Sequence, residues 1–196
     1  MRAQGSAARQ VPITAEEFER MPQEEGSLVE LVRGTLVRES VVLRERGPRP
    51  LHGRLQARIA YLLETWMVQR RERGAIVVHT GFVVATDPDT VRLPDVAYVS
   101  EARMPEARYG AGLWRLGPDL AVEVTSPTNT WTEMQDKVTD YLGAGTSMVW
   151  VIDPPTRTVT VYRSGAAATR LDETGTLDGE DALPGFAARL AEFFDI

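Results

Sequence analysis

Two short segments in the middle of the chain have the period of β-strands. In PDLAVEVTSP, residues 118–127, the two alternating sets of side chains are both largely apolar, which is typical of a strand inside a sheet. The segment RLPDVAYVS, residues 92–100, repeats the pattern. Because Glu123 lies in the first segment and Asp95 in the second, the pattern predicts two carboxylates on two neighbouring strands.

Each of these carboxylates shares its face of the predicted strand with apolar residues. Removing a charge from water costs free energy unless a partner compensates for the lost hydration, and a bound metal ion is one of the few partners that does so. Asp95 and Glu123 are therefore the first candidates for a metal site.

Apolar residues at spacings of three and four predict a long helix from Leu51 to about Arg73. Its predicted buried stripe consists of His52, Leu55, Ile59, Leu62 and Trp66. Arg54 and Arg58 lie one turn apart on another face, where they either contact phosphate or form an ordinary solvated surface. His52 either caps the core end of the helix or contacts a catalytic group or a substrate phosphate.

A second helix is predicted after the Glu123 strand. Thr130 and Glu133 have the spacing of a capping box, in which each side chain bonds to the backbone amide of the other residue at a helix start. The predicted buried stripe of this helix consists of Met134, Val138, Tyr141 and Leu142. Lys137 borders that stripe.

The N-terminal part of the chain predicts a short helix followed by a hairpin. Thr14 and Glu17 form the same capping-box spacing at the start of the helix. Residues 27–43 have β-branched residues on both sides of Gly34, which is typical of a hairpin. Glu30 in this hairpin is either a third carboxylate among apolar residues or a plain surface charge on an edge strand.

Between the long helix and the Asp95 segment, residues 75–87 predict one long strand with a bend at Gly81. His79 lies within it and has no partner histidine at the spacing of a metal ligand pair. A turn at residues 87–90 predicts that the strand carrying Asp95 returns antiparallel to it.

The remaining segments predict a loop, two strands and a final helix. Residues 101–117 lack a clear period and predict a loop over the sheet. The candidates for substrate contact in this loop are Tyr109, Trp114 and Arg115. Partial burial of the two aromatic side chains is the simpler interpretation. Residues 147–153 predict a central strand parallel to the Glu123 strand, and residues 157–163 a hairpin strand beside it. Residues 183–196 predict a turn and a short amphipathic helix.

Composition limits the classes of protein. The chain has 196 residues, of which 43% are hydrophobic, which predicts one domain over residues 12–196 after a disordered lead of residues 1–11. The absence of cysteine excludes disulfides, thiolate metal sites and a cysteine nucleophile. No apolar run approaches the roughly 20 residues that span a bilayer, so a cytoplasmic protein is expected. The net charge of −6 repels a phosphate backbone, so contact with nucleic acid requires a local basic patch.

The order helix, strand, strand, strand, helix, strand, with the two acids on the second and third strands, resembles the PD-(D/E)xK nuclease superfamily. More closely, from about residue 14 to the end, the chain resembles the Uma-two restriction-endonuclease family. The matching motifs are EL-x-x-G at 30–34, HG-x-x-Q at 52–56, PDVA at 94–97, VEV-x-SP at 122–127, K-x-x-x-Y at 137–141 and VWVID at 149–153. The resemblance implies an α/β fold of the α+β type, a restriction-endonuclease-like mixed sheet with an αβββαβ core flanked by helices and with added N-terminal and C-terminal hairpin strands.

One position departs from the superfamily pattern. The superfamily has a lysine two residues after the second acid, whereas this chain has Thr125 there. A lysine on the following helix can reach the same point because its four-carbon stem is flexible. Lys137 is placed to do so, and the Uma-two family also carries its lysine on this helix; the alternative is a surface lysine that extends past Tyr141.

The resemblance implies metal-assisted hydrolysis of a phosphodiester bond, with DNA as the substrate and Mg²⁺ or Mn²⁺ as the cofactor. Asp95, Glu123 and the main-chain carbonyl of Val124 are the implied metal ligands. Lys137 is implied to orient the attacking water or to stabilise developing charge. Three further site residues are implied. Glu30 completes the coordination shell of the metal ion or binds a second ion, and His52 is an auxiliary group. Tyr141 positions the helix that carries Lys137.

Two other functional classes remain open at this point. The first is a catalytically silent nuclease-like domain that binds nucleic acid or protein, which the acidic net charge and the missing lysine at Thr125 favour. The second is an interaction domain whose open hairpin edges pair two chains into a homodimer.

Overall fold

A computed structural model describes residues 11–22, 28–39, 50–104, 112–127 and 129–195, apart from the side chain of Glu39. The predicted disordered lead lies outside these residues except for Val11, and so does Tyr109. The division into a lead and one domain stays a prediction.

The four helices of the described residues are α1 (Ala15–Arg20), α2 (Pro50–Arg70), α3 (Trp131–Gly143) and α4 (Leu190–Phe194), and a 3₁₀ turn covers Glu101–Arg103. The strands are β1 (Leu28–Val32), β2 (Thr35–Glu39), β3 (Gly74–Val77), β4 (Phe82–Ala85), β5 (Thr90–Arg92), β6 (Val96–Ser100), β7 (Leu120–Val124), β8 (Met148–Asp153), β9 (Thr158–Arg163), β10 (Thr169–Leu171), β11 (Thr176–Asp178) and β12 (Ala187–Arg189). None of the helices in the described part of the chain has the length and apolar character needed to span a bilayer.

The larger sheet has six strands in the order β10-β9-β8-β7-β6-β3. Strands β7 and β8 are parallel, as expected because the helix α3 connects them, and the other neighbouring pairs are antiparallel. Every residue of β7 is buried, because α2 and α4 cover one face of this sheet and α3 covers the other. The predicted central strands and the parallel crossover are confirmed.

The smaller sheet has four antiparallel strands in the order β2-β1-β5-β4. Its core is formed by one small cluster: Ala15, Phe18, Leu31, Val83 and Val91. The predicted hairpin at Gly34 is the β1–β2 hairpin of this sheet. The hairpin of β11 and β12 was not predicted from the sequence.

Two strands that the sequence predicts as continuous are each split in two. The segment 75–87 forms β3 in the larger sheet and β4 in the smaller, and it breaks near His79, whose φ is 48°. The segment 92–100 breaks in the same way between β5 and β6, so Asp95 lies in the connection between the two strands. The prediction that Asp95 lies inside a strand is therefore wrong. The His79 N–H donates to the Pro94 carbonyl at 3.2 Å and joins the two breaks. The alternation of side chains in 92–100 continues through its break, and apolar residues stand on both sides of the break at His79, which is why the sequence did not reveal the two breaks.

The buried stripe of α2 also differs from its prediction at two positions, one of which is His52, a residue that is only half-buried. Leu55, Ile59 and Trp66 are buried as expected, but Leu63 is buried in place of Leu62, which is half-buried. Two adjacent leucines satisfy the helical period about equally well, so the sequence alone did not separate them. Arg58 donates to the Glu192 carbonyl at 2.8 Å and holds α4 against α2, whereas Arg54 is exposed.

Both predicted capping boxes are present. The Thr130 side chain accepts from the Glu133 amide, and the Glu133 side chain accepts from the Thr130 amide, which fixes the start of the helix that carries Lys137. The box of Thr14 and Glu17 starts α1 in the same way.

We expect Thr130→Ala to lower the free energy of unfolding by about 1 kcal/mol, because it removes a helix N-cap. The measurement is a urea unfolding curve. Thr139→Ala is the matched control, since Thr139 is exposed within the same helix and alanine has the better helix propensity. Equal midpoints for the two variants would contradict a stabilising role of the cap.

Candidate active site

The three predicted carboxylates are buried where the two sheets meet. Glu30 comes from β1 of the smaller sheet, Glu123 from β7 of the larger sheet, and Asp95 from the connection between the sheets. Each carboxylate has several donors around it. The donors form two groups, one around Glu30 and Glu123 and one around Asp95.

Lys137 joins two of the carboxylates. Its Nζ lies 3.2 Å from Glu30 Oε1 and 3.2 Å from Glu123 Oε2. The side chain is buried on the inner face of α3, so the alternative of a surface lysine is wrong. Lys137 is also the only lysine among the 22 lysine and arginine residues of the chain. This rarity is visible in the sequence, but the comparison of motifs did not take it into account.

Tyr141 is fully buried one turn after Lys137 and donates its hydroxyl hydrogen to Glu123 Oε1 at 2.7 Å. Burial, together with the negative charges of Glu123 and Glu30, raises the pKa of Tyr141 well above its ordinary value. The hydroxyl therefore stays protonated and acts as a donor to Glu123. The role of Tyr141 in positioning the helix stays a prediction, and this hydrogen bond is the contact through which it would act.

Arg92 was not predicted as a site residue. It is buried at the end of β5, where Nη1 donates to Glu30 Oε2 at 2.7 Å and the Nε and Nη2 atoms donate to Asp140 Oδ2 at 2.8 and 2.6 Å. Burial lowers the pKa of Arg92, but the charges of Glu30 and Asp140 outweigh burial and raise the pKa above its ordinary value. An arginine inside an apolar strand pattern, near a predicted buried acid, was the signal that could have identified it.

Asp95 is surrounded by donors from three other segments. The Val124 N–H donates to Oδ2 at 2.6 Å, and the Gln56 side-chain amide donates to Oδ1 at 2.6 Å. His52 and His79, the two histidines of the chain, each place Nε2 3.4 Å from a carboxylate oxygen. Gln56 and His79 are thus two site residues that sequence reasoning did not identify, although Gln56 ended one of the matching motifs.

The charged state of Asp95 follows from these contacts. Burial by itself raises the pKa of the Asp95 carboxyl, but the His52 and His79 hydrogen bonds, the charge of His52 and the Val124 amide outweigh burial. The pKa of Asp95 is therefore lowered well below its ordinary value, and the side chain is a carboxylate at neutral pH.

His52 also contacts the strand that carries Glu123. Its Nε2 lies 3.0 Å from the Val124 carbonyl oxygen. Since a carbonyl only accepts, this nitrogen carries a hydrogen when the contact is made. The N–H of Val124 donates to Asp95, and its carbonyl accepts from His52. Because Val124 directly follows Glu123, it connects the group around Asp95 with the group around Glu123.

Solvent reaches this site from the histidine side. The side chains of His52 and His79 are 29% and 33% exposed, whereas that of Asp95 is 7% exposed. Trp114 and Arg115, which the sequence offered as substrate contacts, lie elsewhere: Trp114 packs edge-on against Phe82, and Arg115 pairs with Glu16.

The described residues contain no group of three or more His, Cys, Asp or Glu side chains arranged to hold a metal ion. Mg²⁺ needs fewer protein ligands than such a group provides, because it commonly binds one or two carboxylates and keeps several waters. Asp95, Glu123 and the Val124 carbonyl offer only oxygen donors, which are the donors that Mg²⁺ prefers. In chemical type, these residues fit the ion that was predicted.

A family model named Uma2, with the description "Putative restriction endonuclease", matches residues 15–191. The chain belongs to the Uma2 family. Membership in Uma2 supports a nuclease-like function. None of the curated proteins matches this chain.

Among solved structures, this Uma2 protein is similar to one described as "a putative nuclease belonging to DUF820" from Anabaena variabilis ATCC 29413. The TM-score is 0.78 and the identity is 22%, over 93% of this chain and 98% of that chain. The similarity confirms the predicted α+β, restriction-endonuclease-like fold.

Proposed function

We propose that this Uma2 protein is a Mg²⁺-dependent nuclease that hydrolyses phosphodiester bonds in DNA. The observation that carries the proposal is the position of the chain's only lysine, which is buried between Glu30 and Glu123. Asp95 adjoins this group through a hydrogen bond from Val124, the residue after Glu123. Three carboxylates, those of Glu30, Glu123 and Asp95, lie at or beside this ammonium group. They are suited to an anionic substrate only if a cation offsets the excess of negative charge.

Asp95, Glu123 and the Val124 carbonyl are the residues that would hold the ion. When bound, Mg²⁺ polarises a phosphate oxygen and lowers the pKa of a coordinated water. Because a carbonyl oxygen has two lone pairs, Val124 can keep its contact with His52 and still offer one to an ion.

Lys137 would orient the attacking water and neutralise negative charge that develops on the phosphate. An ammonium group has three donors, and Glu30 and Glu123 take up contacts with it that fix its position. Tyr141 in turn fixes the other oxygen of Glu123. Donors that are already held in place need little reorganisation during the reaction, which is the basis of electrostatic catalysis.

The substrate would approach on the side where His52 and His79 are partly exposed. The net charge of −6 opposes binding of DNA at long range, so positive charge is needed close to this opening. Arg54 is exposed on α2 and follows His52 by two residues, but the two side chains lie on different faces of the helix.

One observation favours a second candidate, a nuclease-like domain that binds a partner without cutting it. Both oxygens of Glu30, Asp95 and Glu123 already accept hydrogen bonds or ion pairs from the protein itself. Buried polar groups that are fully partnered are stable without an added ion. This arrangement is what a catalytically silent member would also have.

Thermal melting with and without Mg²⁺ tests the metal site. An ion that binds only the folded state at 100 times its dissociation constant raises the melting temperature of a chain of this size by roughly 5 to 10 °C. We expect such an increase for the parent and little or none for Glu123→Gln, which keeps the shape of the side chain but removes its charge. The Mg²⁺-dependent difference is compared within each variant, so a change in basal stability does not affect the result. No increase in the parent, or equal increases in both, would refute a metal site at Glu123.

A further inference from the structure

Arg92 contacts both the carboxylate that faces Lys137 and the helix that carries Lys137. Its Nη1 donates to Glu30 Oε2, while its Nε and Nη2 donate to Asp140 Oδ2. Asp140 lies three residues after Lys137 on α3. Because a guanidinium holds its donors in a rigid planar fork, these contacts fix the position of α3 relative to Glu30.

We propose that Arg92 is a positioning residue of the candidate active site, which holds the Lys137 ammonium between Glu30 and Glu123. The role of Lys137 in cleavage rests on the proposed function. The position of its ammonium group does not, and it can be measured without any cleavage.

Glu30 is held from the side of β5. Its Oε2 accepts from Arg92 at 2.7 Å, and its Oε1 accepts from the Leu93 N–H at 3.0 Å. The pairing of Leu31 with Val91 brings β1 and β5 together at this point. Glu30 thus presents Oε1 to Lys137 from a fixed position.

The balance of charge explains why Lys137 depends on Arg92. In this cluster the three acids are Glu30, Glu123 and Asp140, and the two cations are Arg92 and Lys137. Without the guanidinium, one ammonium group would face three carboxylates, where the low dielectric of the interior strengthens every charge interaction. Glu30 would then draw the ammonium group away from Glu123.

The experiment uses the fact that Lys137 is the only lysine of the chain. Labelling with ¹³Cε-lysine gives one side-chain NMR signal in the parent and in Asp140→Ala, and this signal reports on Lys137 alone. Each Arg→Lys variant adds one lysine signal, which is identified as the signal that remains when Lys137→Met is combined with the same substitution. Arg92→Lys keeps the charge but removes the fork, and Asp140→Ala removes only the contact with α3. Asp140 is 18% exposed at its side chain, and alanine favours helix, so the second variant is expected to fold.

Arg103→Lys is the matched control. Arg103 also spans several acceptors with its guanidinium, namely Asp119 and the carbonyls of Gly117 and Gly145. These contacts lie at the start of β7, whereas Glu123 lies near the end of the same strand.

We expect Arg92→Lys and Asp140→Ala to move the Lys137 signal and to lower kcat for DNA cleavage by about 10- to 100-fold, with little change in KM, because a small misplacement of a catalytic group has an effect of this size. Arg103→Lys is expected to leave both the signal and kcat unchanged. A purely structural Arg92 would instead lower the melting temperature alone.

An unmoved Lys137 signal in folded Arg92→Lys and Asp140→Ala overturns the proposal, and so does a moved signal with unchanged kcat, or an equal shift in Arg103→Lys. If Arg92→Lys does not fold, Asp140→Ala decides by the same criteria. If the parent does not cleave DNA, the proposed function fails, and the NMR signal alone decides whether Arg92 positions Lys137.

Discussion

Lys137→Met is expected to lower the rate of plasmid cleavage by at least about a hundredfold, because it removes a positioned charge from a site where charge develops. Methionine keeps an unbranched side chain in the buried face of α3, so the packing of the helix against the larger sheet is largely retained. The measurement is cleavage in the presence of Mg²⁺ at a temperature where circular dichroism shows that the variant is folded.

Thr139→Ala, on the exposed face of the same helix, is the control and is expected to cleave at the parent rate. Normal cleavage by folded Lys137→Met would show that the lysine absent at Thr125 is not replaced from α3. If cleavage also depends on Asp95, then Asp95→Asn abolishes it, whereas residual cleavage by both variants would point to a contaminating nuclease.

Arg92→Ala is expected to lower the free energy of unfolding by about 3 to 5 kcal/mol, which is the usual effect of removing one partner from a buried ion pair. The side chain of Arg92 is 6% exposed, and its loss leaves Glu30 and Asp140 without the guanidinium. Urea unfolding of the parent and the variant measures the difference.

Two comparisons make this result specific. Arg103→Ala removes an ion pair that is 32% exposed at the arginine side chain, so we expect a loss of only about 1 kcal/mol or less. The double variant Glu30→Gln/Arg92→Met replaces both charges with neutral side chains of similar shape, so it is expected to recover part of the lost stability. Equal losses for Arg92→Ala and Arg103→Ala would mean that the buried cluster contributes no more than a surface pair.

The sequence predicts the core of the fold because the signals it carries are local. Full burial of β7 follows from apolar residues in both alternating sets, and the start of α3 follows from the spacing of Thr130 and Glu133. The breaks at His79 and Asp95 are different, since they result from the strands leaving one sheet for another. Side-chain alternation has the same period in either sheet and so contains no information about that change.

The candidate site is predictable in its acids but not in their partners. A carboxylate in an apolar strand must have a partner, which is why Glu123 and Asp95 stood out. Which cation approaches which acid depends on contacts between distant parts of the chain, and 62 residues separate Glu30 from Arg92. Two counts would have helped: one lysine and two histidines in 196 residues, all of which lie at these carboxylates.

Glu30 and Glu123 belong to different sheets, so the angle between the sheets sets the spacing of these two acids. A small rotation of the four-stranded sheet about the crossings at His79 and Asp95 would separate Glu30 from the ammonium group that it shares with Glu123. The ion pairs of Lys137 with both glutamates therefore link the two sheets at the angle on which the spacing of the candidate site depends.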